Sequence, residues 1–106
     1  MDLEKKEYYE EKYPEISYLL LKFMLDTYYP ERSDENTIAR FVEEVDGEDI
    51  KDTIKEGREV LSLEPFPHDW IGSVMNAGWK TDDACKKWVV WMLEALEEEG
   101  KRVGKL

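Results

Sequence analysis

At 106 residues, with 42% hydrophobic and 39% charged side chains, the chain is long enough for one modest core and no more. Acidic residues outnumber basic ones 26 to 15; the resulting formal charge of −11 repels phosphates and anionic headgroups, and so argues against nucleic acid and membrane as partners. Four Trp argue against an acidic disordered chain, and a single cysteine, Cys85, excludes an internal disulfide.

The first residues hold no apolar run of the secretory kind, and the longest apolar run, residues 18–21, is far too short to cross a bilayer. The expected location is the cytoplasm, where a lone thiol stays reduced. Residues 1–106 read as a single domain, with residues 1–12 a frayed helix or arm.

Pro14 suits the first turn of a helix, where its missing N–H costs nothing. Ile16, Leu19, Leu20, Phe23, Met24 and Thr27 follow at helical spacing and mark a buried stripe. Tyr28-Tyr29-Pro30 ends that helix, because a residue before proline avoids the α region. Ser33 is the expected N-cap of a second helix, with Asp34 and Glu35 in its first turn and Ile38, Phe41, Val42 and Val45 on its apolar face. Asp46-Gly47 is a turn signal. A third helix places Ile50, Ile54, Gly57 and Leu61 on one side. Two prolines make residues 63–67 a loop, although residues 60–66 could also pass as a short strand.

A short fourth helix, residues 68–76, turns Trp70, Ile71, Val74 and Met75 inward and stops at Asn76-Ala77-Gly78. Thr81 caps a fifth, with Cys85, Trp88, Val89, Met92, Ala95 and Leu96 on its core face. Gly100 ends it, leaving residues 101–106 as a basic tail. The pattern predicts an all-α domain of about five helices.

Little of this carries reaction chemistry. His68 is the only histidine, with no second histidine at metal-ligand spacing and no visible partner to orient it as a base. Cys85 beside Trp88 and Val89 reads as a small buried hydrophobe. The six glycines are scattered and form no phosphate cradle, and Asp46-Gly47-Glu48-Asp49 lacks the alternating ligands of a calcium loop. The expectation is a binding protein with no catalytic residue, no metal and no cofactor.

Charge is the informative feature. Nine acidic residues (Glu31, Asp34, Glu35, Glu43, Glu44, Asp46, Glu48, Asp49 and Asp52) and three basic ones fall within residues 31–52, so more than half of the −11 sits in about a fifth of the chain. Glu43 and Glu44 lie near a helix C-terminus, where negative charge is locally unfavourable, a hint that the charge serves a partner. A solvated, self-repelling loop would look the same. Tyr8-Tyr9 and Tyr28-Tyr29 come in pairs, and both members cannot face the core of one helix. Tyrosine suits interfaces, though such pairs also cover the edges of cores. The candidate partner-binding residues are Tyr28, Tyr29, Glu31, Asp34, Glu43, Glu44, Asp46, Glu48, Asp49 and Asp52.

Tyr13-Pro14-Glu15-Ile16-Ser17-Tyr18-Leu19-Leu20, with Phe23 and Asp26 after it, resembles the opening of the helical CdiI immunity proteins of contact-dependent growth inhibition systems. The resemblance continues through Thr37-Ile38-Ala39-Arg40-Phe41-Val42-Glu43-Glu44, a third helix at residues 50–63, and the tryptophan-bearing Ala84-Cys85-Lys86-Lys87-Trp88-Val89-Val90-Trp91-Met92. It covers residues 13–98. Of the family's aromatic-His-Gln-Asp-Trp run after the first helix, only Phe23 and Asp26 are present.

The resemblance implies an intracellular protein that binds and neutralises the C-terminal toxin domain of a cognate CdiA effector. Many such domains are nucleases, which must be basic to hold phosphates, so an acidic inhibitor fits their groove. The alternative is an acidic nucleic-acid mimic, or an adapter for another basic protein. An enzyme using Glu or Asp alone is a third reading.

Overall fold

The computed structural model describes residues 3–24, 33–75 and 79–106, apart from the side chain of Phe23. Among the described residues there are six helices and no strand: α1 Leu3–Lys12, α2 Pro14–Tyr18, α3 Asp34–Glu44, α4 Gly47–Leu61, α5 His68–Met75 and α6 Asp82–Arg102. A π-helical turn, Leu19–Phe23, extends α2. The all-α expectation holds, with six helices rather than five. Residues 60–66 are the end of α4 and a loop, not a strand.

The extra helix is α1. No residue of it is fully buried, yet it is no loose arm. The Tyr9 ring stacks on Trp70 of α5 at 5.0 Å, and Lys5 Nζ lies 3.1 Å from Asp69. Tyr8 stays exposed, its ring edge-on to Tyr9. The first tyrosine pair therefore splits, one ring packed on the core edge and one in solvent.

The α2 stripe is buried as its spacing predicts: Ile16, Leu19, Leu20 and Met24 are all at most 3% exposed. Tyr13 before α2 offers no side-chain cap. Glu56 of α4 does so instead, its Oε1 accepting the backbone N–H of Glu15 at 3.0 Å and of Ile16 at 3.4 Å. Ser33, Asp46 and Thr81 cap α3, α4 and α6 by accepting the N–H three residues on, at 3.1, 2.9 and 3.1 Å.

The 21-residue α6 is the spine, with α3 and α4 packed along it and α2 against α4. Gly57 allows the close approach of α4 to α6, since a Cβ there would stand 2.5 Å from Leu93 Cδ2. Cys85, Val89, Met92 and Leu96 are buried as expected, Leu93 is buried too, and Trp88 and Ala95 are half-buried. The Cα radius of gyration, 13.2 Å, is close to the roughly 13 Å of a well-packed chain this long.

Gly100 does not end α6. The helix runs on to Arg102 and stops where Gly104 takes a φ of +79° that only glycine adopts freely. The chain then folds back, Lys105 N–H and Leu106 N–H both donating to the Gly100 carbonyl. Gly100 is buried because Leu106 lies on it. What reads as a basic tail is a packed strap. The stop at Asn76-Ala77-Gly78, Thr27, and the Tyr28-Tyr29-Pro30 helix end lie outside the described residues.

Candidate functional site

Of the ten residues singled out by sequence, Tyr28, Tyr29 and Glu31 lie outside the described residues. The other seven divide by role. Asp34 Oδ2 accepts the indole N–H of Trp88 at 3.2 Å, tying the start of α3 to α6. Asp46 is engaged in capping α4. Both therefore have structural duties. Glu43, Glu44, Glu48 and Asp52 are exposed and Asp49 is half-buried, and these five form an acidic edge from the end of α3 into the first turns of α4.

The unfavourable dipole at the end of α3 has a local answer. Lys105 Nζ donates to the carbonyls of Val42, Glu43 and Val45 at 2.7, 2.9 and 2.6 Å. A cation on the orphan carbonyls of a helix C-terminus satisfies them and offsets the dipole. The hint that Glu43 and Glu44 are held against their local preference thus loses its force, because Lys105 relieves that preference.

The acidic edge borders a groove absent from the sequence reading. Pro14, Glu15, Tyr18, Phe41, Val45 and Asp49 line about 400 Å³ between α2 and the α3–α4 corner. Its lining mixes apolar Pro14, Phe41 and Val45 with the carboxylates of Glu15 and Asp49, and Tyr18 is half exposed along it. Burial, then the charges of Asp49, Asp52 and Asp46, push the Glu15 carboxyl above the usual carboxylate range. Burial likewise raises Glu56, against the pull of the two backbone N–H groups it accepts, with Glu15 and Asp52 adding to the rise. These carboxylates repel one another, so a cation placed among them is stabilised by all.

Glu15 and Glu56 could not be found from sequence. Their link spans 41 residues and depends on the α2–α4 crossing. Tyr18 carried a weak signal: it interrupts the α2 stripe on the side away from Ile16 and Leu20.

His68 touches a carboxylate without hydrogen-bond geometry. Its Nδ1 meets Asp82 Oδ1 in the first turn of α6. Cys85 lies three residues further along α6, fully buried, and burial together with the Asp82 charge pushes its thiol up to about 12. A nucleophilic thiol needs a depressed pKa and access; this one has neither. Among the described residues, no three His, Cys, Asp or Glu side chains are grouped to hold a metal ion, and no helix is long and apolar enough to cross a membrane.

A separate concavity lies between α4 and α6, where Lys51, Lys55, Arg58 and Lys101 line it together with Glu59 and Glu97. No family model matches the chain, and no curated protein or solved structure matches it.

Proposed function

We propose that this chain is a cytoplasmic immunity protein that binds and neutralises a basic toxin domain, of the kind carried at the C-terminus of CdiA effectors. The observation that carries the proposal is the α2–α3–α4 groove lined by Glu15 and Asp49, with the charges of Asp52 and Asp46 close enough to act on Glu15, extended along the surface by Glu43, Glu44 and Glu48. The resemblance of residues 13–98 to helical CdiI proteins points the same way.

The mechanism is occlusion without catalysis. A nuclease holds its substrate with Lys and Arg. Those side chains would pair with this edge, and one would enter the groove beside Tyr18. Long-range attraction would speed the encounter, and burial of Tyr18 and Pro14 would slow release.

The test starts from the host. The protein, tagged at its N-terminus because the C-terminus is packed, is used to capture its partner, which is then purified. Reversal of Glu43, Asp49 and Asp52 to Lys leaves the Asp46 cap and the Trp88–Asp34 hydrogen bond intact. It should slow association at least tenfold and flatten the salt dependence. An unchanged association rate removes this site. Capture of many unrelated basic proteins, released together by moderate salt, would instead favour a general acidic adapter.

A further inference from the structure

Helix α4 separates its charges by side. Asp49, Asp52 and Glu56 follow one another at intervals of three and four residues toward α2, and Lys51, Lys55 and Arg58 follow at four and three toward α6. With Lys101 of α6, that second row borders a concavity of about 560 Å³. Its floor is apolar, formed by Ile54 and by Leu106 of the C-terminal strap. Two carboxylates also line it. One of them, Glu97, meets both Arg58 at 3.6 Å and Lys101 at 3.3 Å, so a single acid serves two cations. Glu59 is the other. Among the described residues Lys51 and Lys55 form no ion pair.

We infer that this groove docks a short acidic segment of another protein, one that carries an aliphatic side chain flanked by carboxylates. Two cations one helical turn apart, about 6 Å, match carboxylates on successive turns of a helix or alternate residues of an extended chain. The apolar floor accepts the side chain between them, the arrangement by which grooves between helices take amphipathic ligands. The overall charge limits the size of the occupant. At −11 the molecule repels a large acidic domain and a second copy of itself, whereas a segment with few charges feels mainly the nearby lysines. This groove lies apart from the acidic edge and does not depend on the function proposed above.

The test is fluorescence anisotropy with a fluorescein-labelled peptide holding two central leucines and one glutamate on each side. The full chain should bind it saturably, and Lys51→Glu/Lys55→Glu should weaken binding at least tenfold. Lys80→Glu/Lys87→Glu makes the same charge change at exposed positions elsewhere and should preserve most of the affinity. Replacing the leucines by serines should weaken binding as well. If the double reversal melts early, Lys51→Gln/Lys55→Gln serves in its place and should still weaken binding. Absence of saturable binding, equal losses in both double variants, or equal binding of the serine peptide would each overturn the inference. So would a sedimenting dimer abolished by Lys51→Glu/Lys55→Glu, which would give the groove to a second copy.

Discussion

Glu56 caps a helix that is not its own, and does so with a raised pKa. The two facts make separable predictions. Glu56→Ala removes the acceptor and should cost about 1 kcal/mol, read by urea unfolding at pH 7. Glu56→Gln keeps an acceptor oxygen and removes the charge. Because the folded state holds this proton more tightly than the unfolded chain, ionisation of Glu56 reduces stability as pH rises through its folded pKa. The Gln variant should therefore be at least as stable as the parent at pH 7, and its advantage should vanish as the pH falls toward 4.5. Cys85 gives a second check at this scale. Buried and raised to about 12, it should not react with a thiol reagent until the protein unfolds, so the reaction rate should follow the unfolding equilibrium.

At the scale of elements, the C-terminal strap holds three helices together. Lys105 terminates α3, Leu106 covers Gly100 of α6, and the Lys105 carbonyl crosses Gly47 at the start of α4. A Cβ on Gly47 would stand 2.2 Å from that carbonyl oxygen, a backbone atom that cannot swing aside. Gly47→Ala should thus destabilise by about 1–3 kcal/mol, and deletion of residues 105–106 by a similar amount. In a double-mutant cycle by chemical denaturation the two losses should not add, since both act through one contact. A fully additive result would mean that the strap is not the reason for Gly47.

Gly47 also shows how far the sequence could be read. Asp46-Gly47 was visible as a breaker, and the cap at Asp46 is where pattern reasoning would put it. The reason for the glycine lies 58 residues away and leaves no local trace. Ser33 and Thr81 were legible as caps because the cap and the N–H it accepts are three residues apart. The stripes of α2 to α6 were legible because periodicity reports burial directly. Helix α1 was legible only as a frayed helix or arm, since it buries no full face and is held by the Tyr9 ring on Trp70 and the Lys5–Asp69 ion pair. The candidate site divides along the same line. The acidic edge is continuous in sequence and could be read. The groove beside it needs Glu15 and Tyr18 from α2, and the cationic groove needs α6 and the strap.

For the whole molecule the decisive property is an uneven field. The acidic edge and the cationic groove lie on opposite flanks of one helix, within a chain whose net charge is −11. A basic partner on the acidic edge should respond to both salt and pH. Affinity should fall as ionic strength shortens the reach of the field. It should fall again on acidification, because Glu15 and Glu56 take up their protons before ordinary carboxylates do and withdraw charge from the groove. Titration calorimetry over a series of salt concentrations and pH values reads both effects, with proton uptake or release above the usual carboxylate range as the signature of the raised pair.

The most direct test of the proposed site is amide hydrogen exchange on the complex with the captured partner, set against the free protein. The account predicts new protection in residues 14–18 and 43–52, the two segments that frame the acidic groove, with α5 unchanged. Protection confined to α1 and α5, with residues 43–52 exchanging as in the free protein, would contradict it.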